Sequence, residues 1–250
     1  MLCNYHTHTK RCRHAIGEDR EYVESAITAG LKILGFSDHA PYIFDGNYYS
    51  YYRMFIEQTE EYVNSVLSLK KEYQKDIDIR LGFELEYYPD KHQREMEFLK
   101  NFNPDYIIMG QHFVGCEPNG VYVAGGCDDN FLKSYVEQCI EGLKTGDFTY
   151  LAHPDIAGYD YSPSAIDSYY GKLLRYCKSE NIPIEINVLG ITSNRWYSKR
   201  KIFELAENIG NEVIIGIDAH SPSAITKSAF DTANSLINGL NLNLIEKLNI

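Results

Sequence analysis

Seven times along this chain a short apolar, β-branched run gives way to a longer amphipathic stretch, and that alternation constrains the fold more than any single motif. The strand-like runs cover residues 2–5, 33–37, 77–83, 106–110, 149–152, 182–186 and 212–217. The helix-like stretches cover 19–29, 52–73, 91–101, 130–144, 163–179, 199–208 and 223–238. "EVIIGIDA" is β-branched and too short for a buried helix. "DREYVESAITAG" opens on Asp19 as an N-cap, closes on Gly30, and sets Tyr22, Val23, Ala26 and Ile27 on one stripe. Repeated β-α units pair as parallel strands with helices outside. The pattern predicts a distorted, TIM-like (β/α)7 barrel. No linker or repeat divides residues 1–250, so one domain is expected.

In α/β barrels, chemistry sits at the C-terminal ends of the strands. Here every strand exit carries polar residues: His6 and His8; Asp38 and His39; Glu84 and Glu86; His112; His153 and Asp155; Glu185 and Asn187; Asp218 and His220. Strand residues two apart share a face, so His6 and His8 can both point inward, as can Asp218 and His220. If the barrel closes, these side chains converge. Imidazoles and carboxylates in one pocket suit Zn, Fe or Mn, and the absence of cysteine at these positions argues against a structural Cys-rich zinc site. His6, His8, His14, His39, Glu84, His112, His153, Asp218 and His220 exceed what one ion can use. They would serve three ions if a carboxylate bridges two of them.

Plainer roles compete for each residue. A lone His-x-His is weak evidence. Asp38 and Asp155 suit caps, turns or groups that orient an imidazole. His92, in the polar run "DKHQRE", reads as solvated surface. Cys12 is expected to pack near the cleft without reacting, and Glu185 to form an interior ion pair. The tyrosines at 48–52 suit either loop packing or a lid over substrate. What argues against chance is the joint pattern: seven of eight histidines lie at strand exits or in adjoining loops.

The formal net charge of -11 disfavours a nonspecific nucleic-acid binder. It permits an anionic small molecule, because three divalent ions would bring the total to about -5 with the added charge focused in one cleft. The six cysteines form no C-x-x-C pair, and no apolar run reaches membrane-spanning length. Reduced thiols, a cytoplasmic location and no membrane partner are expected.

"YHTHTKRCRHA", "GFSDHAP", "GFELEYYPD", "GQHF", "LAHPD" and "GIDAHSP" appear in the order of the successive motifs of the polymerase-and-histidinol-phosphatase (PHP) superfamily, which the chain resembles over residues 5–222. The Cys12 and His14 form of the first motif, the helix start "GEDREYVESAI" and "EIN" are similar to the histidinol-phosphate phosphatase branch. The resemblance implies a trinuclear centre of Zn, Fe or Mn. His6, His8, Glu84 and Asp218 would hold the first ion. Glu84 would bridge to a second, completed by His112 and His153, and His14, His39 and His220 would hold the third. It further implies hydrolysis of a small phosphorylated substrate, L-histidinol phosphate first, with inorganic phosphate as product. Other phosphate esters (phosphotyrosine, a nucleotide) come next, and amidohydrolase chemistry after them. Arg195 is the leading phosphate-gripping cation, ahead of Lys199 and Arg200. Asp218 or His220 would return a proton to the leaving alcohol. Glu86 would meet a substrate amine or serve as an ordinary ion pair.

Overall fold

A computed structural model describes residues 2–46, 48–126 and 128–250. The sheet begins with β1 (Cys3–Asn4), β2 (Ile33–His39), β3 (Asp78–Leu85) and β4 (Tyr106–Met109). A small antiparallel hairpin, β5 (Phe113–Val114) with β6 (Val121–Tyr122), follows. β7 (Tyr150–Leu151), β8 (Ile184–Asn187), β9 (Glu212–Gly216) and β10 (Asn243–Leu244) complete the set. The main sheet runs β1-β2-β3-β4-β7-β8-β9-β10, with every neighbouring pair parallel. A parallel bridge between Thr7 and Ala219 joins the exit of β1 to that of β9, so the sheet closes where the polar residues emerge. The result is a distorted α/β barrel.

All seven expected strands are present. β10 is an addition: it is only two residues long, exposed, and lies in a polar tail without alternation. The hairpin is a second addition and sits directly beyond His112.

The helices are α1 (Asp19–Ala29), α2 (Thr59–Glu72), α3 (Pro89–Leu99), α4 (Asp129–Leu143), α5 (Pro163–Ser179), α6 (Val188–Thr192), α7 (Arg200–Ile209) and α8 (Lys227–Leu236). α1 is capped by Glu18, which forms a reciprocal capping box with Glu21, and not by Asp19. The Asp19 carboxylate instead takes a two-pronged bond from the buried Arg11 guanidinium at 2.9 Å. Gly30 ends the helix at φ +81°, as expected. α2 begins later than the predicted residue 52. Arg13 binds the carbonyls of Ser50 and Arg53, and a helix from residue 52 would need the second as an acceptor for its own bonds.

Apolar faces of the helices pack on the outside of the sheet as the main core, around Phe36, Phe83, Leu174 and Phe203. Inside the barrel a smaller cluster around Tyr5, Tyr106, Ile108 and Tyr150 fills the end opposite the strand exits. Tyr106 donates to the carbonyls of Tyr5 (2.7 Å) and Phe36 (3.1 Å). Gly35 makes room for it, since a Cβ there would lie 2.2 Å from the Tyr106 hydroxyl. The interior is thus closed below by tyrosines, and its upper half is left to polar groups.

Candidate metal centre

The parallel register sets the site from the backbone outward. His39 and Glu84 are direct partners across β2 and β3. Glu84 stands in the middle: His153 Nε2 lies 2.9 Å from its Oε1, with His6 Nε2 at 3.6 Å and His112 Nε2 at 3.7 Å. Its Oε2 lies 2.9 Å from His39 Nδ1 and 3.5 Å from His8 Nε2. Asp218 Oδ1 lies 3.1 Å from His8 Nε2, 3.5 Å from His6 Nε2 and 3.3 Å from His220 Nδ1. His14 Nε2 and His220 Nε2 are 2.9 Å apart. The structure therefore brings all nine candidate ligands together. Seven of them line a cavity of about 490 Å³, and His6 and His153 lie buried beneath it.

The backbone accommodates this crowding at specific points. Gly110 follows β4 because a Cβ there would stand 1.8 Å from Glu84 Oε1, and Gly216 leaves the same space for Glu185. His153 (φ +29°) and Asp218 (φ +55°) adopt left-handed conformations, which cost a non-glycine residue about 1–3 kcal/mol each.

Surrounding groups orient the rings. His6 Nδ1 donates to Glu185 at 2.8 Å, and His112 Nδ1 to Glu86 at 2.9 Å. His8 Nδ1 faces Asp38 at 3.4 Å, and Asp38 also accepts from the Thr9 hydroxyl. Glu185 accepts as well from the His153 amide (3.0 Å) and Asn187 (2.9 Å). With Nδ1 engaged as a donor, His6 and His112 present an Nε2 lone pair inward, the form that binds a metal.

His6 Nε2, Glu84 Oε2 and Asp218 Oδ1 are buried and make no hydrogen bond. Neighbouring nitrogens and oxygens approach them without the alignment a hydrogen bond needs. Two donors about 2.1 Å from one shared ion, at tetrahedral or octahedral angles, lie about 3.0–3.4 Å apart, and the observed spacings of 2.9–3.7 Å straddle that range. The charges agree. Burial pushes the Glu84 carboxyl up, but His39, His112 and His6 outweigh it and hold it well below the usual range. Asp218 is likewise held low against burial by His6, His8 and His220. Burial is the main force lowering His39 to about 4 and His220 to about 3. Against the opposing effect of burial, the carboxylates in turn raise His6, His8 and His112, so without a metal the cluster carries positive charge on imidazoles, the place a divalent cation would take.

The four expected substrate residues separate. Arg195 lines the cavity, and among the described residues its guanidinium makes no hydrogen bond or ion pair. Lys199 is tied to the Arg195 carbonyl and does not line the cavity. Arg200 points away, bonded to Glu204 and to the carbonyls of Leu236 and Asn238. Glu86 is fully buried, with one oxygen on His112 and the other 2.6 Å from Arg53, which places it behind the site as an ion-paired residue. His92 is not solvated. It is buried and hydrogen-bonded to Asp147 at 2.8 Å. Asp155 holds the backbone of Ser198 and Lys199 and does not touch an imidazole.

Five further residues line the cavity: Tyr52, Tyr122, Ile156, Leu189 and Tyr197. Tyr52 belongs to the tyrosine cluster and Tyr197 neighbours Arg195. Tyr122 arrives on the hairpin, which carries no strand signal in the sequence. The described cysteines (Cys3, Cys12, Cys116, Cys139 and Cys177) are unbridged, and Cys127 lies outside the described residues. No helix among the described residues is long and apolar enough to cross a membrane.

A parallel barrel with this donor set at its strand exits has a counterpart among known proteins. The chain belongs to the PHP domain family, whose model matches residues 4–188. It is 28% identical over 239 residues to a probable histidinol-phosphatase of Deinococcus radiodurans, covering 90% of this chain and 88% of that one. It is also 28% identical over 140 residues to the histidinol-phosphatase of Bacillus subtilis, covering 54% and 52%. The crystal structure of histidinol phosphate phosphatase from Lactococcus lactis, complexed with zinc, L-histidinol and phosphate, has the same fold. Its TM-score is 0.74 at 18% identity, over 100% of this chain and 99% of that one.

Proposed function

We propose that this chain is a metal-dependent phosphomonoesterase that hydrolyses L-histidinol phosphate to L-histidinol and phosphate. The observation that carries the reading is Glu84. Its two oxygens are shared among five imidazoles on the floor of a cavity, and Arg195, whose guanidinium has no partner among the described residues, forms part of the wall. Two curated relatives, those from Deinococcus radiodurans and Bacillus subtilis, are named for this activity, which supports the choice of substrate.

In this reading His6, His8, Glu84 and Asp218 hold one ion; Glu84, His112 and His153 a second; and His14, His39 and His220 a third. Divalent ions bound there would supply Lewis-acid charge to the phosphoryl group and lower the pKa of water to about 7. The chain's own residues do the rest. Arg195 grips phosphate oxygens through its planar fork and holds the ester in line. Glu185, Glu86 and Asp38 hold His6, His112 and His8 in the orientation in which Nε2 faces the cavity. Asp218 or His220 takes up the proton that the attacking water gives up and passes it to the leaving alkoxide oxygen. Tyr52, Tyr122, Tyr197, Ile156 and Leu189 exclude bulk water and face the organic part of the ester. Cytoplasmic location and action on a free small molecule accompany this reading.

A panel of L-histidinol phosphate, phosphotyrosine, mononucleotides and an amide, each assayed with the zinc-, iron- and manganese-loaded protein, tests the assignment. Fastest phosphate release from histidinol phosphate is the expected result. The aromatic walls would also accept an aryl ester, so a preference for phosphotyrosine would keep the chemistry and replace the substrate. Amide cleavage without phosphate release would overturn both.

A further inference from the structure

Arg53 stands outside the ligand set, yet it touches everything around one side of it. The side chain is 1% exposed. Nη1 lies 2.6 Å from Glu86 Oε2, and Nε and Nη2 donate to Glu117 Oε2 at 3.1 and 3.0 Å. The guanidinium carbon is 5.4 Å from the centre of the Tyr52 ring and 5.5 Å from that of Tyr42. The second oxygen of Glu86 takes the His112 Nδ1 hydrogen, and the second oxygen of Glu117 takes the Tyr48 hydroxyl at 2.7 Å. One buried cation therefore serves two buried carboxylates. One carboxylate leads to a candidate metal ligand and the other to the tyrosine-rich segment.

The physical consequence falls on His112. A buried carboxylate without a cation is costly and takes up a proton or turns toward another positive charge. With Arg53 Nη1 2.6 Å from one oxygen, the other oxygen of Glu86 has one donor to meet, the His112 Nδ1 hydrogen at 2.9 Å. That fixes His112 with its Nδ1 hydrogen outward and its Nε2 lone pair toward Glu84. Partners of this kind are worth about 10- to 100-fold in metal affinity. Arg53 also backs Tyr52, part of the cavity wall, so a single residue sets the direction of one ligand and the position of one wall.

We propose that Arg53 is a positioning residue of the metal centre, acting through Glu86 on His112 and through Tyr52 on the cavity wall. It thereby couples the ion beside His112 to the segment 48–55. The proposal rests on the reading of the site as a metal centre. Because coupling free energies are reciprocal, loading the ion also rigidifies that segment.

The test is a titration of chelator-stripped protein with zinc against a competing chromophoric chelator. Hydrogen exchange of residues 48–55 is followed in parallel, with folding of each metal-free variant checked by circular dichroism. In the unmodified protein zinc slows exchange in 48–55. In Arg53→Lys, which keeps a charge but loses the fork, and in Glu86→Gln, one class of zinc site weakens about 10- to 100-fold. The other sites hold, and kcat falls more than KM rises. In Arg53→Lys the zinc-dependent protection of 48–55 is also lost. Glu117→Gln leaves zinc affinity within about threefold of the unmodified protein. Unchanged zinc affinity in both Arg53→Lys and Glu86→Gln overturns the proposal, as does equal weakening in Glu117→Gln, which would trace the effect to packing in general. If the unmodified protein binds no zinc, iron or manganese, the metal-centre reading falls instead.

Discussion

His14 and His220 point their Nε2 atoms at each other across 2.9 Å, and a main-chain carbonyl holds each ring from the other side. His14 Nδ1 meets the Cys12 carbonyl at 2.9 Å, and His220 Nδ1 meets the Asp218 carbonyl at 3.0 Å. A carbonyl can only accept, so each Nδ1 carries the hydrogen and two lone pairs face one another. Burial, followed by the charge of His8, lowers the proton affinity of both rings. A proton shared between them is therefore disfavoured at neutral pH, and a divalent cation relieves the repulsion.

His14→Ala and His220→Ala should each cost one equivalent of metal and about 100-fold in kcat, with the remaining ions retained. Elemental analysis of the purified variants checks this. Full retention of metal by both would mean that these two rings do not share an ion.

Arg195→Ala removes a charge-assisted, two-pronged contact worth about 1.5–3 kcal/mol, so KM should rise about 10- to 100-fold while metal content stays normal. Arg200→Ala should leave KM within about twofold, because that side chain is spent on Glu204 and two carbonyls outside the cavity. Steady-state kinetics on the pair separates the cation that grips phosphate from the one that only lies near it in sequence.

Glu84→Ala removes the carboxylate shared by five imidazoles and should lower both metal occupancy and turnover. Gly110→Ala should do the same with Glu84 intact, because the added methyl would stand 1.8 Å from its Oε1. Isothermal titration with zinc reads both. A Gly110→Ala protein with normal affinity would show that Glu84 can shift without loss of the centre.

Glu95 provides a stability handle away from the site. Burial pushes its carboxyl up to about 7 against a hydrogen bond from the Ile43 amide, which lies 3.1 Å from Oε2. Folded protein thus keeps a proton there that unfolded chain releases near 4.5. The contribution is complete below about 4.5 and is lost as pH rises through 7, by at most about 3 kcal/mol. Glu95→Gln keeps an acceptor for Ile43 and cannot ionise. It should raise Tm at pH 8 by several degrees and change it little at pH 4.5. Thermal unfolding of the metal-free proteins at the two pH values measures the difference.

Much of the site was legible because barrel geometry turns sequence position into spatial position. Strand exits meet at one end, so His6, Glu84, His153 and Asp218 could be placed together without knowing a distance. Residues outside that rule were not legible. The contact of Arg53 with Glu117 joins two loops 64 residues apart, and nothing in either sequence announces the other. Tyr122 enters on a two-residue strand, too short for alternation to register. His92 illustrates a signal that is present but masked by its neighbours. The run "DKHQRE" is polar, yet His92, Glu95, Met96 and Leu99 form one buried stripe of α3, and helical spacing outweighs composition there. The late start of α2 accompanies the capture of the Arg53 carbonyl by Arg13, a long-range bond that helix periodicity cannot foresee.

The most direct measurement is anomalous diffraction from crystals of the metal-replete protein, collected at the absorption edges of zinc, iron and manganese. Three peaks are predicted: two flanking the Glu84 carboxylate, on the Asp218 side and the His112 and His153 side, and a third among His14, His39 and His220. A map from metal-replete crystals with no anomalous peak within coordination distance of Glu84 would contradict the account.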